Sequence, residues 1–159
     1  MIGNDLVDLK VASVESNWKR PRFLDKVFTI EEQQLIMNSK NQHQTVWLLW
    51  SMKEAAYKIN VQQFGKRFYN PKKLVCHLSS STIGYVTIEN RTYYTRSAIS
   101  KNYIYTVASL NYLENYLDEI IWLIKSLILS IDCVVILSRK LLFPSKLNII
   151  SLLSASQLL

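Results

Sequence analysis

Glycine and proline are scarce, with three of each in 159 residues, and 49% of the chain is hydrophobic. That composition excludes a generally disordered chain and is enough for one domain with a real core, with or without an appendage. Cysteine is as rare: Cys76 and Cys133 lie far apart in apolar contexts, which excludes a disulfide framework. Reduced core thiols in a cytoplasmic protein are expected. The two histidines, His43 and His77, form no finger spacing with the cysteines, and no stacking-aromatic signature accompanies them, so nucleic acid is not expected as a partner. His77 is expected in a strand and His43 in a solvent-facing loop. At the N-terminus Asp5 and Asp8 replace the basic-then-apolar order of a secretory leader, so none is expected. The apolar stretch 120–137 is broken by Lys125 and Asp132. A charge at mid-membrane costs about 2.5–3.5 kcal/mol on insertion scales. A buried helix or strand pair is expected there, and a membrane span is not.

The formal net charge of +7 is uneven. Residues 1–111 hold 15 Lys/Arg against 8 Asp/Glu, a difference of +7, and residues 112–159 hold 4 of each. A basic surface attracts polyanions, and the sign alone does not choose between nucleic acid, anionic membrane, a phosphate-rich cofactor and an acidic protein.

Two stretches carry chemistry. The run 46–64 is apolar and free of proline, and Gly65 follows it, which predicts a buried or half-buried helix over 44–64 with Gly65 as its stop. Glu54 and Lys58 sit four apart within it and share one helix face. As an ordinary surface pair they would add only a few tenths of a kcal/mol. Among Trp47, Leu48, Leu49, Trp50, Ala55, Ala56 and Ile59, however, charges call for a partner or a task. Near the N-terminus, Ile2, Leu6, Val7 and Leu9 predict a buried strand interrupted by Asp5 and Asp8, with Gly3 small enough for close approach. The two acids are either solvated strand-end residues or part of a hard-cation site. Mg²⁺ takes one or two carboxylates plus water and substrate phosphates, and Asp5 with Glu54 would supply two.

The pattern Gly3-Asn4-Asp5-Leu6-Val7-Asp8, then Phe28-Thr29-Ile30-Glu31-Glu32, then Trp50-Ser51-Met52-Lys53-Glu54-Ala55-Ala56-Tyr57-Lys58 about forty-five residues after the first, resembles the 4'-phosphopantetheinyl transferases. The first motif resembles the small holo-acyl carrier protein synthases and the last the surfactin-synthetase-activating type. The likeness covers about residues 1–110. It implies Mg²⁺-dependent transfer of the phosphopantetheine arm of coenzyme A to a serine of an apo acyl or peptidyl carrier protein. It also implies Asp5 and Glu54 as metal ligands, with Asp8 as a less direct one. Glu54 and Lys58 are then the catalytic candidates, and Lys53 and Lys58 the contacts to coenzyme A phosphates. Lys53 faces another side of the helix, where a solvated side chain is an equal alternative. The Ser-Ile-Ser-His segment of two-lobed relatives is absent. Residues 112–159 are therefore expected as an incomplete or altered second lobe after a transferase-like lobe at 1–111. The alternatives are a homo-oligomer of single lobes and a catalytically impaired module that binds coenzyme A or a carrier protein.

The remaining segments fill in an α+β fold, an antiparallel sheet packed on the long central helix and a shorter one. Residues 13–27 are polar and basic, with Pro21 marking a loop or a helix boundary, and are expected either as a solvated basic loop or as a docking surface for the acidic carrier or nucleotide phosphates. Thr29 and Glu32 form a capping box for a helix to about Asn38, where Glu32 is a cap rather than a catalyst. Residues 65–73 are expected as a basic loop. Alternation predicts strands at 74–78, 84–88, 91–95 and 103–109, with Glu89-Asn90 as a hairpin turn.

Overall fold

The structure, a computed structural model, describes residues 1–65, 67, 70–112, 119 and 122. The architecture below is that of the described residues of the unit Met1–Lys125. The expected second lobe and the stretch 120–137 fall on residues outside the described set, apart from 112, 119 and 122.

Strand β1 (Ile2–Asp8) leads into helices α1 (Leu9–Glu15), α2 (Phe23–Val27), α3 (Ile30–Met37) and α4 (Gln42–Phe64). A 3-10 turn at Pro71–Lys73 then opens the meander β2 (Leu74–Leu78), β3 (Ile83–Ile88), β4 (Arg91–Ile99) and β5 (Tyr103–Ser109). The five strands form one sheet in the order β1-β5-β4-β3-β2, every pairing antiparallel. This is the α+β architecture expected from the alternation. The first strand pairs with the last, so the N-terminal motif joins the sheet beside residues a hundred positions away, with Asp5 opposite Thr106.

Alternation assigns the faces. Val7, Ile104, Ala108, Val86, Ile88, Leu74 and Cys76 join Val46, Leu49, Met52, Ala56 and Ile59 of α4 in the main core. Ile2, Leu6, Ala98, Tyr105 and Val107 cluster on the opposite face. Each buried aliphatic or aromatic side chain contributes on the order of 1.5–3 kcal/mol. Gly3 permits the packing of β1 on α4: a Cβ there would meet the carbonyl oxygen of Ala55 and approach Ile59 Cγ1 to 2.9 Å.

The caps explain the boundaries. Thr29 and Glu32 form the reciprocal capping box. Asn41 caps α4 by accepting from the Gln44 amide at 3.1 Å, which starts the helix two residues before the expected position. Gly65 closes it in the left-handed region at φ 65°. Two expectations are corrected. Residues 13–27 are not a continuous loop: Asp8 caps α1, Trp18 is buried, and α2 follows. His43 is not a solvent-facing loop residue; it lies in the first turn of α4, half-buried, and its Nδ1 accepts from Trp18 Nε1 at 3.1 Å. His77 lies in β2, exposed and stacked on Tyr85 at 4.6 Å.

Candidate active site

β1 and α4 bring together Asp5, Glu54 and Lys58. On β1 the residues facing the helix alternate as Gly3, Asp5 and Val7, and on α4 Ser51, Glu54, Ala55 and Lys58 lie along one stripe. Lys58 Nζ donates to Asp5 Oδ1 at 3.0 Å and to the Asn4 carbonyl at 2.7 Å. The Asp5 side chain is 15% exposed and that of Lys58 43%. Glu54 is half-buried. Burial pushes its carboxyl above the usual carboxylate range, the charge of Asp5 pushes it further, and Lys58 opposes both. The site is thus two carboxylates close enough to repel, with one ammonium beside them.

Beneath lies a polar floor that sequence reasoning missed. Ser51 is fully buried, with its hydroxyl 3.5 Å from the Asp5 carbonyl. Thr106, opposite Asp5 in register and fully buried, shares a hydrogen bond with Ser97 at 2.9 Å. The signal for Thr106 was the period-two alternation of β5, which fixes its face only once β1 is known to pair with β5.

Asp8 does not join the site. It alternates to the other face of β1, and its Oδ1 accepts from the amides of Lys10 and Val11 at 2.9 and 3.0 Å as the cap of α1. Among the described residues no group of three or more His, Cys, Asp or Glu side chains is placed to hold a metal ion. Asp8 is placed as the cap of α1, and the carboxylates that the fold brings together are those of Asp5 and Glu54. Two hard oxygen donors remain, the number that Mg²⁺ takes from protein beside substrate phosphates. Their mutual repulsion is what a divalent cation relieves, so the donor set fits that ion.

Lys53 points elsewhere and is neither solvated nor free for phosphate. Only 2% exposed, it donates to Glu32 Oε2 at 2.7 Å, the Val27 carbonyl at 3.1 Å and the Pro71 carbonyl at 2.9 Å. An ammonium has three N–H groups, and all three are used. Glu32 goes beyond the helix cap read from the sequence: its oxygens also accept from Thr29 N at 2.8 Å and Cys76 N at 2.7 Å.

A cavity of about 540 Å³ lies elsewhere, lined by Trp18, Lys19, Lys40 and His43 among others, and contains none of Asp5, Glu54 and Lys58. Those three sit instead where α4 crosses β1, an edge strand of the sheet among the described residues. Among the described residues no helix is long and apolar enough to cross a membrane.

Comparison with known proteins agrees with this architecture. The family model of the 4'-phosphopantetheinyl transferase superfamily matches residues 1–108. No curated protein sequence matches the chain. Among solved structures, the ACPS–CoA complex of Chronobacterium ammoniagenes aligns with a TM-score of 0.55 at 16% identity, covering 71% of this chain and 97% of that one. The holo-[acyl-carrier-protein] synthase of Helicobacter pylori, solved in complex with coenzyme A, aligns with a TM-score of 0.54 at 13% identity, covering 70% of this chain and all (100%) of that one. An apo-ACPS structure from the former genus aligns with a TM-score of 0.55 at 15% identity, covering 68% and 93%. At these identities the likeness establishes a common fold.

Proposed function

The chain belongs to the 4'-phosphopantetheinyl transferase superfamily, and on that premise we propose that it moves the 4'-phosphopantetheine arm of coenzyme A onto a serine of an apo acyl or peptidyl carrier protein. The leaving group is 3',5'-adenosine bisphosphate. The observation that carries this reading is the approach of Asp5, from the first motif, to Glu54 and Lys58, from the last, across the β1–α4 contact. We take residues 1–111 as the transferase lobe, of the holo-acyl carrier protein synthase type, working in the cytoplasm as a single lobe or a homo-oligomer.

Asp5 and Glu54 would hold Mg²⁺, which when bound neutralises charge on the coenzyme A diphosphate. The chain's own residues do the rest. Lys58, tethered by Asn4 and Asp5, has one N–H left and places it toward solvent, where it can donate to a phosphate oxygen. Glu54 is the chain's own carboxylate that can take the proton of the carrier serine. As that proton leaves, the serine oxygen bonds to the phosphorus bearing the pantetheine arm. The bond from that phosphorus to the bridging oxygen breaks, and the electron pair departs on the adenosine bisphosphate. Lys53 takes no part in contact with phosphate.

The test is incubation of the protein with coenzyme A, Mg²⁺ and apo carrier proteins, read by mass spectrometry. A gain of one phosphopantetheine arm on the carrier, lost when Mg²⁺ is chelated, is expected. Binding of coenzyme A with no gain on any carrier would leave the catalytically impaired binding module as the function.

A further inference from the structure

The reaction above leaves one buried ionic network unused. Lys53 and Glu32, each 2% exposed, lie 2.7 Å apart, and their remaining bonds reach four other points of the fold. Lys53 takes the carbonyl at the end of α2 (Val27) and the carbonyl at the start of the 3-10 turn (Pro71). Glu32 takes the amide before α3 (Thr29) and the amide of Cys76 in β2. The Cys76 thiol lies 3.4 Å from the Leu49 carbonyl of α4. Lys53 also sits over the Phe28 ring at 5.2 Å.

The sheet order puts β1 and β2 at opposite edges. Helix α4 crosses between them and is tied at both. At the β1 edge the ties are the Gly3–Ala55 contact and the bonds of Lys58 to Asn4 and Asp5. At the β2 edge they are the Lys53–Glu32–Cys76 chain and the approach of the Cys76 thiol to Leu49. Lys53 and Glu54 are consecutive, so they leave the helix about 100° apart. A bond that fixes the direction of one fixes the rotation of the helix, and with it the direction of the other. Buried ion pairs are weak sources of net stability, because desolvation offsets their attraction, but they specify geometry in some proteins.

We infer that Lys53 and Glu32 are positioning residues: the pair sets the rotation of α4 from the β2 edge and thereby holds the Glu54 carboxylate against Asp5 at the β1 edge. The inference rests on the reading of Asp5 and Glu54 as one metal site. It removes Lys53 from the phosphate contacts and gives it a role through Glu54.

The test compares wild type with Lys53→Met and with the double variant Glu32→Gln/Lys53→Met. Lys53→Met leaves a buried carboxylate without its cation and is expected to melt lowest. The double variant removes both charges, and its melting temperature is expected to return most of the way to wild type. Its affinity for Mg²⁺ alone, by calorimetry, is expected to stay about 10–100-fold below wild type, as for lost partners behind metal ligands. Its crystal structure is expected to show Glu54 turned away from Asp5. A double variant that binds Mg²⁺ as tightly as wild type, with α4 superimposing, overturns the inference and leaves the pair a merely structural one. If Mg²⁺ binds neither protein, the metal-site reading fails instead. The positioning claim is then decided by the crystal structure alone: a displaced Glu54 sustains it and an unmoved one overturns it.

Discussion

Lys58 reaches from α4 to the carboxylate of Asp5 on β1, two residues fifty-three positions apart joined by a 3.0 Å ion pair. The pair is partly exposed, and such pairs add only about 0–1 kcal/mol to stability. Its consequence is therefore expected in catalysis. Lys58→Met should leave the melting temperature nearly unchanged while lowering kcat on the order of 100-fold, the usual effect of removing one positioned charge donor. Steady-state transfer assays beside thermal melts check this; a variant that loses stability and activity together contradicts it.

Glu54 should leave a signature in pH and metal dependence. Its carboxyl titrates higher folded than unfolded, through burial first and the charge of Asp5 second. Between the two values the folded state holds more protons, so stability falls as pH rises through that window. Without metal, ionising Glu54 is thus less favourable in the folded state than in the unfolded chain. Glu54→Gln is expected to melt above wild type in chelator and to lose transfer activity. Mg²⁺ should raise the melting temperature of wild type and not of the variant. Melts across pH, with and without Mg²⁺, test the sign, and a Glu54→Gln protein that melts below wild type in chelator refutes it.

Cys76 should be inert in the folded protein. Burial pushes its thiol well up, and the Glu32 carboxylate adds to that against the opposing Lys53. The thiolate is the reactive form, so alkylation at mildly alkaline pH should reach Cys76 only as fast as the chain unfolds. Peptide mapping after timed alkylation, native and in denaturant, makes the comparison. Rapid native labelling would contradict the burial.

The sequence displayed the elements whose signals are local. Thr29 and Glu32 announced α3, Gly65 the end of α4, and the alternation around Tyr103–Ser109 a strand. It concealed what depends on partners far along the chain. Trp18 looked like part of a polar loop because its burial against His43 joins segments twenty-five residues apart. Lys53 looked like a phosphate contact because its motif neighbours do chemistry; nothing local shows three acceptors arriving from Val27, Glu32 and Pro71. Asp8 entered as a less direct ligand through the motif resemblance, and its odd offset from Asp5 in a strand sends the two to opposite faces.

Two glycines allow the spacing of the site to be separated from the stability of the sheet. A Cβ on Gly3 would meet the Ala55 carbonyl beside Glu54, and one on Gly84 would meet the His77 carbonyl and come within 2.9 Å of Met52 Cε. Both substitutions overpack the space under α4, and Gly3→Ala and Gly84→Ala should each cost about 1–3 kcal/mol in denaturant melts. Their effects on the site should differ. Gly3 lies two residues from Asp5 on the same face of β1, so an added methyl there lifts α4 from β1 where the carboxylates meet. Gly84, in β3, is separated from β1 by two strands. Gly3→Ala is therefore expected to weaken Mg²⁺ binding and slow transfer per folded molecule, whereas Gly84→Ala keeps both near wild type. Equal losses of Mg²⁺ affinity in the two variants would show that general loosening, not the β1–α4 contact, governs the site.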